Sequence, residues 1–413
     1  MKGSTLGERP AVAHRISLLV HSYWPDQSPP QRRWSGLVRE FQSAGWEVGV
    51  VTPISHFPHG RRKEKRAEAG YPFAVQKGQH GERIRRVPYL RHAETRLGRF
   101  IDHLYTAVMT VPAAMMEPRP EVVIVTAPSL PILAAGYVVS RLRRVPLIVE
   151  MRDAWPDLAR DARLVQGPVK STAERAVEFV QRKADLVITV THGFAKTLLR
   201  RGIQHVATVP NALDLSTIPH LDPPPAKKAR LDVLYLGNHG ESQRLDVMVQ
   251  AAALVGDAMH LHMVGYGVVR SQLQQLAARL QAPVTFYPPV KRADVVEQYQ
   301  RADSCIVALR DDWKSFDTTI PSKTYEVLAV GRHVTAVVKG EAAHIIEDSG
   351  AGDLVACSPE AVAALWHDLV RDRSRLDVGR SGRDWVQQNA ELLTSARHYM
   401  ELVHDVVNRT ALR

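Results

Sequence analysis

Short apolar runs rich in β-branched residues alternate with helical patterns along almost the whole chain. The pattern predicts strands at 16–20, 47–51, 122–126, 146–150, 186–190 and 207–209. Each is apolar at nearly every position, as in a strand buried on both faces of a parallel sheet. Helical patterns at 32–44, 131–143, 173–183 and 193–201 lie among them. Such a βαβ series predicts a doubly wound sheet covered by helices on both sides.

The rhythm stops at 218–230, which reads IPHLDPPPAKKAR. Three consecutive prolines exclude a central strand or a helix interior, so this is a stiff linker. The alternation then restarts, with strands expected at 232–236, 260–264, 284–287, 304–308, 333–338 and 353–355. Helices are expected at 243–254, 269–280, 294–301, 322–330 and 342–348. The expected architecture is α/β, with two Rossmann-like parallel-sheet domains, 1–215 and 231–390, facing a central cleft across a 216–230 linker. The terminal helical stretch, 391–413, is free to return to the first domain, though the pattern does not require it.

One region breaks the pattern. A polar insertion from 56 to 91 carries RRKEKR at 61–66, and 93–116 mixes Leu97, Phe100, Ile101, Leu104, Tyr105 and Val108 with Arg96, Arg99 and Asp102. Two readings stand: an amphipathic helix lying on a membrane surface, or an ordinary helix turned toward the core.

Composition narrows the class. The 413 residues are 45% hydrophobic and 23% charged, which excludes disorder and a multi-span membrane protein. The longest apolar stretch, 122–137, contains Pro128 and Pro131 and is too short to span a bilayer. Two cysteines, Cys305 and Cys357, make no disulfide framework. With no secretory signal pattern, the expected location is cytoplasmic, or peripheral at the inner membrane face. The net charge of +11 is uneven: residues 1–210 carry +14 and residues 211–413 carry −3. A basic first half suits an anionic membrane surface or a phosphate-bearing substrate. A nucleic-acid module ranks low, because no binding motif is present and no aromatics interleave with the basic residues.

In open parallel sheets ligands bind beyond the carboxyl ends of the strands. There the richest cluster is TTIPSKTYE, 318–326. Pro321 and Ser322 suit a helix start, and helix amides attract phosphate. Lys323 in that first turn opposes the helix dipole unless an anion is bound. Glu326, one turn on, is suited to a pair of sugar hydroxyls; the competing reading is a plain Lys323–Glu326 ion pair. Gly237 and Asn238 follow the first strand of the second domain, ahead of Arg244, which can grip phosphate. Gly265 and Gly267 make a lone GxG, a weak dinucleotide signal. In the first domain, Arg152 and Asp153 follow a buried strand, and Asp153 either positions or deprotonates a hydroxyl. His21 and Tyr23, after the first strand, are expected at the same mouth. His260 and His262 read as packing, and no metal-ligand set or Asp-x-Asp pair is assigned. No Walker loop occurs.

These segments resemble the family 4 retaining glycosyltransferases of the GT-B fold, in particular the fucosamine and colanic-acid-type subgroup. YWPDQSPPQRRWSGLVREF, IVEMRDAWPDL, VPNALDL, LGNHGESQRLDV, VGYG, RADSCIVAL and TIPSKTYEVLAVGRHV follow the family order over nearly the whole chain. The resemblance implies acceptor binding by the first domain and nucleotide-sugar binding by the second, with UDP the favoured nucleotide and no cofactor or metal. It implies that Lys323, Arg244 and the amides of Thr319, Ile320, Pro321's neighbour Ser322 and their surroundings hold the diphosphate. It further implies that Glu326 holds the ribose, Val290 borders the base and Glu341 faces the donor. His21, Tyr23 and Arg152 fall on the acceptor side, facing a lipid-linked or small-molecule acceptor. Departures are Thr318 in place of the first family glutamate, Gln243 for lysine, and Arg244, Ser28 and Ala212 for glycines. An epimerase or sugar phosphorylase on the same fold is the alternative enzyme reading.

Overall fold

A computed structural model describes residues 14–26, 28–56, 60–61, 70–93, 95–154, 157 and 168–411. The first domain is an eight-stranded sheet in the order β3-β4-β2-β1-β5-β6-β7-β8. Its central strands are β1 (Arg15–Leu19), β2 (Glu47–Pro53), β5 (Val122–Thr126) and β6 (Leu147–Met151), followed outward by β7 (Leu186–Thr189) and β8 (Val206–Thr208). β1 pairs in parallel with both β2 and β5, so Leu19 lies opposite Val51 on one side and Val125 on the other. All three are fully buried, as continuous apolar runs demand of a two-sided sheet.

The second domain has six parallel strands in the order β11-β10-β9-β12-β13-β14. They are β9 (Leu231–Leu236), β10 (Met259–Val264), β11 (Val284–Tyr287), β12 (Ser304–Ala308), β13 (His333–Val337) and β14 (Gly352–Leu354). The order is that of a doubly wound nucleotide-binding sheet, whose switch point falls between β9 and β12.

Helices of the first domain are α1 (Pro29–Ser43), α2 (Arg96–Met115), α3 (Leu130–Arg143), α4 (Pro168–Lys183) and α5 (His192–Arg200). Those of the second are α6 (Leu245–Val255), α7 (Arg270–Leu280), α8 (Val295–Arg301), α9 (Ser322–Val330), α10 (Gly340–Ser349), α11 (Pro359–Arg371) and α12 (Ser381–Asn389). The terminal helix α13 (Leu392–Ala411) does return to the first domain. Its Tyr399 is buried against Trp34 and Phe41 of α1, and Ala396, Val403 and Val406 complete the stripe.

Two features depart from expectation. The polar insertion contains β3 (Val75–Lys77) antiparallel to β4 (Arg83–Val87), an edge hairpin hidden in the sequence by its arginines. Arg85 and Arg86 are nevertheless buried: Arg85 pairs with Glu117 and donates to the Phe73 carbonyl at 2.7 Å, and Arg86 donates to the Pro53 carbonyl at 3.2 Å. Charge read as surface is here buried and paired largely with carbonyls and Glu117. Residues 62–66 of the basic run lie outside the described residues.

The second departure is α2. It does not turn its large apolar residues inward: Leu97, Phe100 and Val108 are 68%, 56% and 56% exposed. The face toward the sheet instead carries Asp102, Thr106, Ala107, Thr110 and Ala113, all buried. The core-facing reading holds for this inward face, where Ala113 and Ala114 join the core and Met109 and Val111 pack against it, but not for the large apolar residues of the first turns.

Candidate active site

The second domain's side of the candidate site is built where β9 and β10 end. Gly237 N–H donates to the Val264 carbonyl at 2.9 Å and His239 N–H to that of Tyr266 at 2.9 Å, so the two strand-end loops are zipped together. Gly265 has φ of +135°, and a Cβ there would meet the Gly237 carbonyl oxygen at 1.9 Å. Only glycine permits this approach. Asn238 is exposed, and its carbonyl accepts from Tyr235 Oη at 2.7 Å.

Helix α9 starts beneath these loops. Pro321 is its N-cap and Ser322 its first residue. The first helical amides, those of Ser322 and Lys323, have no intrahelical acceptor. Thr319 contributes less than expected: its amide donates to Phe316 and its hydroxyl to the Ser315 carbonyl at 2.8 Å. Ile320 is partly buried against the core of the second domain.

Lys323 decides the character of this site. Its Nζ lies 3.6 Å from the centroid of the Tyr235 ring and 3.1 Å from where a Cβ on Gly237 would stand. That nitrogen is buried and makes no hydrogen bond among the described residues. Nor does it form an ion pair with Glu326, so the plain helical pair is not realised. Burial pushes the Lys323 ammonium down to about 7, with Glu326 pulling the other way. The ammonium is thus held over an aromatic face with no anion beside it among the described residues. His239, beside it, has both ring nitrogens buried without a hydrogen-bond partner among the described residues, and burial takes its imidazole down to about 4.

Glu326 lines the cleft, and its Oε2 accepts from Tyr299 Oη at 3.3 Å. Val290 packs partly buried on the core of the second domain and does not line the cleft. Two other residues are turned elsewhere. Arg244 adopts φ of +47°, explaining why glycine suits this position, and its guanidinium binds Asp246 at 3.2–3.4 Å in a separate hollow with Glu241 and Gln272. It does not join Lys323. The Glu341 carboxylate reaches across to the first domain, where it accepts from His192 N at 3.0 Å and from Gly193 N.

On the first domain's side, Arg152 lines the cleft with its Nε buried and unpaired among the described residues. Burial lowers it from the usual guanidinium range, against the pull of Glu150. Burial likewise raises the Asp153 carboxyl, with Arg152 opposing. Trp155 and Pro156, which follow, lie outside the described residues. Tyr23 is a correction: it is fully buried and donates to Glu82 Oε1 at 2.9 Å, so it belongs to the core and not to the mouth. His21 sits at the end of β1 among other histidines.

Sequence reasoning missed Glu150 and Arg33. Glu150 is buried at the end of β6 and accepts from Thr126 Oγ1 at 2.9 Å, Trp34 Nε1 at 3.1 Å and Arg33 Nε at 3.2 Å. Arg33 also donates to the carbonyls of Pro210 and Val209 at 2.6 and 2.9 Å. Together they fix α1 against the exit from the first domain. The run RRW after PPQ carried that signal. Ser28, standing for a family glycine, caps α1 by accepting from Gln31 N at 3.2 Å.

A cleft of about 350 Å³ separates the two sheets' carboxyl ends, lined by Arg32, Arg152 and Asn211 on one wall and Arg292, Ser322 and Glu326 on the other. Its cations suit a phosphate-bearing ligand spanning both domains. The Glycosyl transferase 4-like domain family matches residues 30–212, and the Glycosyl transferases group 1 family matches residues 230–372. The chain belongs to the family 4 glycosyltransferases of the GT-B fold.

The glycosyltransferase is 23% identical, over 85% of its own length and 90% of the other's, to the putative colanic acid biosynthesis glycosyl transferase WcaI of Escherichia coli. Its fold is that of the sucrose-phosphate synthase from Thermosynechococcus elongatus, with a TM-score of 0.72 at 18% identity, covering 96% of this chain and 100% of that one. It is also that of Anabaena Alr3699/HepE in complex with UDP-glucose, with a TM-score of 0.68 at 13% identity, covering 95% and 99%. Among the described residues no helix is long and apolar enough to cross a membrane.

Proposed function

We propose that this glycosyltransferase moves a hexose or amino-hexose, with retention at the anomeric carbon, from a UDP-sugar to a hydroxyl of a lipid-linked acceptor at an anionic, cytoplasmic membrane face. The observation that carries the donor half is the buried, unpartnered Lys323 ammonium at the start of α9. A diphosphate seated there receives that charge together with the amides of Ser322 and Lys323, so negative charge is stabilised as it leaves. Glu326, held by Tyr299, takes the ribose hydroxyls. The acceptor oxygen attacks the anomeric carbon on the face the diphosphate leaves; the bond from that carbon to the phosphate oxygen breaks. The acceptor proton passes to the departing phosphate oxygen, and Asp153 and Arg152 position the hydroxyl. Protein cations meet the leaving group's charge, so the diphosphate needs no metal. Complexes of Alr3699/HepE with UDP and UDP-glucose support the choice of nucleotide. The exposed apolar face of α2, within a half-chain of net charge +14, supports the membrane.

The test is calorimetric titration with UDP against ADP and GDP, on the wild type and Lys323→Gln. Selective UDP binding that drops at least tenfold in the variant is expected, since a charge-assisted contact contributes about 1.5–3 kcal/mol. Equal binding by both proteins would remove Lys323 from the site.

A further inference from the structure

Behind the acceptor-side mouth, and outside the machinery just described, four histidines surround one carboxylate. Asp102 of α2 is fully buried. Its Oδ1 accepts from the Leu90 amide at 2.8 Å, which leaves Oδ2 facing the rings. His56 Nε2 stands 2.9 Å from Oδ2, His21 Nε2 3.7 Å and His92 Nε2 3.9 Å. The ring of His103 lies 3.8 Å from that of His21, centroid to centroid.

The far nitrogen of each ring shows which tautomer it holds. His56 Nδ1 is 2.7 Å from the Ile54 carbonyl, and His92 Nδ1 is 2.6 Å from the Ala93 carbonyl. Carbonyls only accept, so both Nδ1 atoms carry hydrogen. Thr106 Oγ1 has the His103 carbonyl to donate to at 3.1 Å, which leaves it able to accept from His21 Nδ1, 3.3 Å away. With Nδ1 protonated, each Nε2 of a neutral ring is a lone pair, and all three stand within 3.9 Å of the same anionic oxygen. One extra proton, on His56, relieves one of these contacts and leaves the others. A cation relieves all of them together. Tying Nδ1 to a carbonyl or hydroxyl while freeing Nε2 is how metal-binding histidines are oriented.

The dimensions agree. Zinc–nitrogen and zinc–oxygen bonds of about 2.0–2.1 Å set ligand atoms about 3.3 Å apart in a tetrahedron. The distances to Oδ2 fall on either side of that value. The ligand atoms of His21, His56 and Asp102 all lie within 4.8 Å of one another.

We infer that His21, His56 and Asp102 bind a divalent transition metal of the zinc class, with the fourth position left to water. Imidazole nitrogens favour zinc or its neighbours over magnesium and calcium. The sequence assigned no metal because the ligands stand at 21, 56 and 102, a spacing with no recognised signature. The ion joins the end of β1, the end of β2 and Asp102 of α2, so it fastens α2 to the first domain. It takes no part at the diphosphate.

The experiment uses untagged full-length protein, stripped with a chelator and titrated with cobalt(II). One equivalent is expected to give the visible d–d absorption of four-coordinate cobalt, which zinc then abolishes and magnesium does not. His21 is partly exposed, so His21→Ala should keep its circular dichroism while binding cobalt at least tenfold more weakly. Asp102→Asn should do the same. His260→Ala, in the other domain, should bind as the wild type does. Absence of a stoichiometric cobalt spectrum, or an unchanged one in His21→Ala, would overturn the assignment and leave an ion-pair cluster only.

Discussion

Glu341 of α10 is separated from His192 by 149 positions, yet its carboxylate accepts the His192 amide at 3.0 Å and also that of Gly193. The carboxylate therefore caps a helix of the opposite domain, where the N-terminal end of α5 favours negative charge. Thr191 Oγ1, donating to the Thr318 carbonyl at 2.8 Å, braces the same junction. Glu341→Gln keeps the size of the side chain and removes its charge. The expected loss, discounted for partial exposure, is about 1 kcal/mol, or roughly fivefold in local opening. Amide hydrogen exchange at residues 192 and 193 reads it directly; unchanged exchange in the variant would mean that the carboxylate does not hold the domains together.

Lys323 gives the glycosyltransferase a distinctive pH dependence. Burial puts its ammonium at about 7 against 10.5 in the unfolded chain. Between those values the unfolded chain carries more protons, so this group makes the folded protein more stable as pH rises through the window. Its cost to stability is greatest below pH 7. A bound diphosphate favours the charged form and lifts the folded value, so binding takes up a proton above pH 7. The affinity for UDP should fall between pH 7 and 9, by up to about tenfold per unit. Isothermal titration in buffers of different ionisation enthalpy counts that proton. A flat profile in the wild type, matching that of Lys323→Gln, would contradict the link.

The positions of the central strands were legible because each is a short apolar run bounded by turn residues. The place of Lys323 in the first turn of a helix was legible locally too, from Pro321 and Ser322 before it. What escaped were relations across distance. The β3–β4 edge reads as polar because Arg85 and Arg86 find buried partners far along the chain, in Glu117 and in the carbonyls of Phe73 and Pro53. Arg244 matched a phosphate-gripping position in sequence, but a carboxylate two residues on, Asp246, takes its guanidinium. Tyr23 looked like a mouth residue because it follows β1, and only the tertiary packing shows Glu82 waiting for its hydroxyl.

That last pair makes a separable prediction. Burial, reinforced by Glu82, raises the Tyr23 phenol well above its usual range, so it stays protonated and donates to the carboxylate. Tyr23→Phe leaves Glu82 Oε2 with the His80 amide at 2.8 Å but deprives Oε1 of its donor. The cost should be about 1.5–3 kcal/mol, the range for a hydrogen bond to a charged group. Urea denaturation measures it. With Tyr23 in the core, the acceptor KM of the folded variant should stay within about twofold of the wild type.

The outward face of α2 should bring the glycosyltransferase to lipid. Phe100 and Leu104 are 56% and 49% exposed, and their neighbours Leu97, Ile101 and Val108 extend the same surface. Transferring one such side chain from water into the interface contributes about 1.5–3 kcal/mol, while basic residues add attraction that salt weakens. Co-sedimentation with vesicles of phosphatidylglycerol and phosphatidylethanolamine should therefore fall in high salt without vanishing. Phe100→Asp combined with Leu104→Asp should reduce partitioning at least tenfold and leave UDP affinity unchanged, because the donor site lies in the other domain. The double variant sedimenting like the wild type, or a wild type that ignores anionic vesicles altogether, would exclude this face as the contact with membrane.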